Sequence, residues 1–163
     1  MNHAAAFATQ LDSCFSGKGW QGPTLLGSLR GVSPSEALQK PKDCAHCLWD
    51  LLLHTTYWKY TILVRLGAAE PNTFPRSPSN WPTPPSAALP KAELAKRWKA
   101  DLALARQTHA RLKRAVADFS DSQFDRIPAG GRIWTARQLI TGIAAHDVYH
   151  AGQCQLIKKM IRR

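Results

Sequence analysis

Apolar residues recur at steps of three and four along most of this chain, and no segment keeps the sustained alternation of a half-buried strand. That period predicts helices. A first helix is expected over about residues 4–15, ended by "SGKGWQGP". Thr24 is placed to cap a short helix in "LLGSLRG", and Ser33 with Pro34 to open another in "SPSEALQK", proline taking the first helical position. A second long helix reads from about Cys47 to Leu66, "CLWDLLLHTTYWKYTILVRL", and stops at Gly67. It is apolar on nearly every face, the mark of a central element.

The next segment, "GAAEPNTFPRSPSNWPTPPSAALP", holds seven of the eleven prolines. Proline fixes φ and removes a backbone donor, so this stretch can be neither helix nor central strand. It is too long for a tight helical hairpin and predicts a crossover between distant helix ends. A third helix, about 91–119, carries one stripe: Leu94, Trp98, Leu102, Ala105, His109, Leu112, Val116 and Phe119. "SDSQFDRIPAGGR" breaks it, and Thr135 caps a last helix reaching almost to Arg163. The seam of that helix is Leu139, Ile143, His146, His150, Gln153 or Cys154, Ile157 and Ile161. Four long helices with one Pro-rich crossover between the second and third predict an all-α four-helix bundle. Residues 1–163 read as a single domain with no internal repeat.

Composition agrees with that picture. Hydrophobic residues make up 44% and charged residues 20% of 163, enough to bury a core. No apolar run approaches the ~20 residues that span a bilayer, so no membrane partner is expected. The first residues lack a basic n-region and a full apolar h-region, and a cytoplasmic address is expected. Four cysteines in such a compartment read as thiols. "CAHC" at 44–47 lacks the βαβ context of a redox motif and reads better as small apolar residues at a helix start, with a local role for Cys44 and Cys47 left open. A net charge of +11 makes nucleic acid a partner to consider. Eight Lys/Arg against three Asp/Glu over 91–119, however, suit solvated helix faces, and no helix-turn-helix, RNP or zinc-finger pattern accompanies them.

The chemistry concentrates in "HDVYHAGQ", residues 146–153. Positions i and i+4 of a helix lie about 40° apart around the axis and ~6 Å apart along it, so His146 and His150 can address one metal ion from one face. Both interrupt an apolar seam, and buried imidazoles need partners. A pair of core histidines bonded to neighbouring helices is the competing reading. The zinc-protease signature is excluded: it needs Glu after the first histidine, where this chain has Asp147, and a ligand further on, where no histidine follows. Asp147 lies about 100° round from His146, as expected of an outer acceptor or a surface charge. A third ligand must come from elsewhere. His3 is near the terminus and His46 at a helix start, while periodicity does not separate His54 from His109.

"LWDLLLHTTYWKY" together with "GIAAHDVYHAGQCQLIKKM" resembles the DinB/YfiT-like superfamily of metalloenzymes, and the likeness extends to "GPTLLGSLRGVSP" and "FPRSPSNWP". The resemblance implies a four-helix bundle in which one histidine of the second helix joins two of the last around a divalent metal. Carried over residue by residue, these are His54, His146 and His150. Such families include transferases using thiols such as bacillithiol or mycothiol, and a mycothiol-dependent isomerase.

Three neutral imidazoles leave an ion open positions, the pattern of a catalytic site, and suit Zn or Ni first, with Mn or Fe as alternatives. The expected function is therefore a metal-dependent transferase or hydrolase acting on a small electrophile, with a low-molecular-weight thiol as co-substrate, in detoxification or stress response. Asp147 and Tyr149 are the candidate catalytic groups. Tyr57, Trp58 and Gln153 are candidates for the pocket wall, though aromatics on buried helices equally serve as core. The other expectations are a bundle in which the metal is only structural, and a basic nucleic-acid-binding protein. A homodimer is also expected of a small Trp-rich bundle.

Overall fold

A computed structural model describes residues 3–163, and those residues contain helices and no strand. The four long helices are α1 (His3–Phe15), α4 (Leu48–Arg65), α5 (Lys91–Ala117) and α7 (Ala136–Ile161). Three short ones intervene: α2 (Leu25–Ser28), α3 (Pro34–Leu38) and α6 (Asp121–Phe124).

The caps fall where the sequence puts them. The Thr24 hydroxyl accepts from Gly27 N–H at 3.1 Å, and Ser33 and Glu36 close a reciprocal capping box with Pro34 at the first position. Thr135 and Gln138 do the same for α7. α4 ends in a Schellman motif: Gly67, at φ +74°, donates to Val64 O and Ala68 donates to Leu63 O. The segment "SDSQFDRIPAGGR" does break the third helix, but it also folds one turn, α6, capped by Ser120.

α1 packs on α5 and α7, and α4 packs on the same two, so the long helices close a ring with α1 opposite α4. Two apolar clusters fill it. One gathers Leu48, Trp49, Leu52, Leu94, Trp98, Cys154 and Ile157; the other gathers Leu11, Leu63, Leu112, Val116, Leu139, Ile140 and Phe124. α4 and α5 both run from the first cluster to the second, while α1 and α7 run the other way. Because α4 and α5 are parallel, the chain must return the length of the bundle between them. It does so along α4. The Tyr60 hydroxyl donates to Glu70 O and accepts from Thr73 N–H, Trp58 Nε1 donates to Asn80 Oδ1, and Arg76 reaches Asp101 on α5.

Between the clusters lies a polar layer. Thr55, Thr56, Lys59, His109, Asp147 and His150 are buried there, with His54. The threonines return their hydroxyls to Leu51 O and Leu52 O. The Lys59 ammonium donates to Asp147 Oδ1, with neither side chain exposed to more than 1%. Asp147 is thus no surface charge. The 100° that separates it from His146 carries it inward, to the bundle axis, and leaves His146 at the edge of the buried face. On α5, Asp101 and Thr108 are buried beside the predicted stripe, and Asp101 accepts from Trp49 Nε1 at 2.8 Å.

Candidate metal centre

His54 comes from the middle of α4, and His146 and His150 from the middle of α7, where the two helices meet. One ring nitrogen of each lies within 4.8 Å of the others. Among the described residues this is the group of three or more His, Cys, Asp or Glu side chains close enough to share an ion. His109 is not part of it. Its Nε2–H donates to Asp12 at 2.9 Å, and its ring stacks on Phe15 at 4.0 Å, so a residue that periodicity could not separate from His54 is a core histidine. His3 faces Asp121 and Phe124.

The histidines are oriented by their outer nitrogens. His54 Nδ1 is 2.7 Å from the Asn80 carbonyl oxygen, which can only accept, so Nδ1 carries the proton and Nε2 is bare. Asn80 offers that carbonyl from a left-handed conformation, φ +68°. His150 Nδ1 is 2.6 Å from Gln153 Oε1, whose amide nitrogen donates on to the Tyr149 hydroxyl at 3.1 Å. His150 therefore also turns Nε2 inward, 3.0 Å from His146 Nε2. His146 Nδ1 is buried without a hydrogen-bond partner. Two imidazole nitrogens bound tetrahedrally at ~2.0–2.1 Å would sit ~3.3–3.4 Å apart, so the pair needs a shift of a few tenths of an ångström to embrace an ion.

Charge favours the same use. Burial pushes His146 down to about 3, with His150 and His54 adding to it, and pushes His150 down to about 4 against its bond to Gln153. Burial also lowers His54. All three are neutral at pH 7, the state a ligating imidazole needs. Two inward-facing Nε2 atoms left bare by their outer bonds, a third histidine whose Nδ1 has no partner, and a donor set of three imidazoles fit a divalent metal ion.

The group opens on a cleft of about 550 Å³ walled by His46, Trp58, Asn80, Trp81, Tyr149 and Gln153. Trp81 is clamped between His46 and His54, its ring 3.6 and 3.7 Å from theirs. Of the predicted wall, Trp58 and Gln153 are present, and Tyr149 lines the cleft with 63% of its surface exposed. Tyr57 is absent from the lining. Three residues after His54 it falls about 60° to the other side of the helix, where it packs on Phe74 at 5.4 Å. Asp147, proposed from sequence as a catalytic group, bonds Lys59 and makes no hydrogen bond to the histidines.

Asn80, Trp81 and Lys59 were not found from sequence as functional residues. The signals were a polar-aromatic pair inside the Pro-rich crossover and a lone lysine within an apolar helix. The cysteines stay out of the site: all four are free, and burial pushes Cys47 up to about 11 and Cys154 up to about 12, so both are inert thiols. Cys47 stands at the N-cap of α4, its N–H donating to Asp50 at 2.9 Å. Among the described residues no helix is long and apolar enough to cross a membrane.

No curated protein and no solved structure matches the chain significantly. A family description does, over residues 20–154, a span that takes in the crossover, the three histidines and three of the four long helices in whole or large part. The chain belongs to the DinB superfamily.

Proposed function

We propose that His54, His146 and His150 hold a catalytic divalent ion, zinc or nickel first, and that the protein joins a small electrophile to a low-molecular-weight thiol or to water in detoxification or stress response. The observation that carries this reading is the all-imidazole donor set at the floor of an open cleft. A divalent ion bound by three neutral ligands keeps its full charge and an open position, and so supplies Lewis acidity toward a thiol, a water or a substrate oxygen. The chain's own residues do the rest. Asn80 and Gln153 fix the tautomers of His54 and His150. Trp58 and Trp81 wall the cleft with apolar ring surface. Tyr149, held by Gln153, presents a hydroxyl at the rim, within reach of a bound substrate.

Protein purified without an affinity tag, stripped by chelation and reloaded, is expected to take up stoichiometric metal, and His150→Ala to lose it. Turnover with a panel of thiols and electrophiles should depend on that metal. Absence of metal uptake sinks the proposal. Metal that raises the melting temperature sharply, has no exchangeable water and supports no turnover would make the ion a structural staple instead.

A further inference from the structure

The cleft continues past the histidines. Beyond Trp58 and His146, which line both, a second hollow of about 610 Å³ runs between α4 and α7 toward the C-terminal end of α4. Its floor is apolar, formed by Ile62, Leu139 and Ile143, all buried. Gly142 leaves its wall open, since a Cβ there meets no atom within 4 Å. At the far end Arg65, Trp134 and Leu139 are shared with a third hollow of about 280 Å³, which adds Arg132 and the Gly130–Gly131 turn. That end is preformed: a Cβ at Gly130 would stand 2.7 Å from Val64 O, so the turn sits directly on the last turn of α4.

Arg65 is the informative residue. Its guanidinium lies 5.7 Å from the Trp58 ring centroid, and among the described residues it has no carboxylate or carbonyl partner. Arg137, in the same hollow, is already forked onto Asp125 at 2.6 and 3.1 Å. A cation in a last helical turn can complement the dipole. Here, however, the carbonyls of Ile62, Leu63 and Val64 accept from Leu66, Ala68 and Gly67. The guanidinium is left on the wall of an apolar trough with its planar fork of donors unspent, the chemistry that matches a carboxylate, sulfonate or phosphate.

We propose that this trough binds an amphipathic organic anion. Its apolar or aromatic body lies over Ile62, Leu139 and Ile143, its acidic group is held by Arg65, and its other end is presented at His146. The volume is in the range of small-molecule sites. The inference rests on the metal-centred reading only for which end of the ligand reacts; binding itself needs no metal.

Two dyes of similar shape test it. Anilinonaphthalene sulfonate carries the anion, and N-phenylnaphthylamine has the same ring system without it. Fluorescence titrations on metal-loaded and metal-stripped protein are expected to show saturable binding of the sulfonate. Arg65→Met should weaken the sulfonate about tenfold, the worth of a charge-assisted hydrogen bond, and leave the neutral amine little changed. Gly142→Leu, whose Cβ meets no atom within 4 Å and which favours the helix, should fill the trough and weaken both dyes; melting curves check that each variant folds. If R65M binds the sulfonate like the wild type, or loses the neutral dye equally, the anion assignment is wrong. If G142L leaves both dyes unaffected, the groove assignment is wrong. Arg65-dependent sulfonate binding by a chain that takes up no metal sinks the proposed function and leaves the trough standing. A metal-loaded chain indifferent to Arg65 does the reverse.

Discussion

At the scale of single residues, Asn80 governs which nitrogen of His54 faces the cleft. Its carbonyl takes the Nδ1 proton and its side chain takes the Trp58 indole proton, both from one left-handed residue. Asparagine tolerates that conformation better than most residues, and alanine pays roughly 1–2 kcal/mol for it. Asn80→Ala is therefore expected to lower stability by about that amount and metal affinity by about tenfold, through a loosened imidazole. Asn80→Gly should recover the backbone part of the stability while still losing the bond to Trp58. Urea unfolding and competition with a chromophoric chelator measure the two effects separately.

At the scale of elements, α4 and α7 each bring part of the triad, and the Lys59–Asp147 pair joins them five residues beyond His54 and one beyond His146. Burial acts against both charges, lowering the lysine and raising the aspartate, while each partner opposes the other's shift. Asp147 Oδ2 has no partner, and Lys59 Nζ lies 4.8 Å from the centre of the Phe15 ring. A buried pair of this kind adds little net stability over apolar residues, but removing one member strands the other, at about 3–5 kcal/mol. Lys59→Met and Asp147→Leu are each expected to destabilise by that order, and the double variant to regain most of it. A double-mutant cycle by urea denaturation checks this; strictly additive losses would show that the two groups do not act as a pair.

At the scale of the whole molecule, the polar layer between two apolar clusters is expected to make the bundle sensitive to acid. Take His109, away from the triad. Burial pushes it down to about 4 against its bond to Asp12, and the charged groups facing it are Asp12, Lys113 and Lys59. Unfolded, a histidine titrates near 6.5, so the unfolded chain takes up this proton first. Its contribution is then whole above about pH 6.5, falls as the pH drops toward about 4, and is flat below. His109→Gln should give a shallower fall over that window. Unfolding of metal-stripped protein at stepped pH provides the measurement.

Much of this was legible in the chain. Helical period, Thr135 as a cap, Gly67 as a stop and the proline run marked the four long helices within a residue or two, and Thr24 and Ser33 marked two short ones, because caps, stops and periodicity are local properties. The i, i+4 spacing of His146 and His150 was equally local. What the sequence left open was anything set by the side-by-side placement of helices. The choice of His54 over His109 came by resemblance and not by spacing. α4 lying against α7 brings His54 within reach of His146 and His150, while α1 brings Asp12 to His109. Asp147 turned inward to a lysine from another helix, and the crossover folded back to lay Asn80 and Trp81 on the triad. One-dimensional order fixes which face a residue occupies. Only the packed bundle decides what that face meets, because contacts between residues 26 or 88 apart depend on how the helices are stacked and joined.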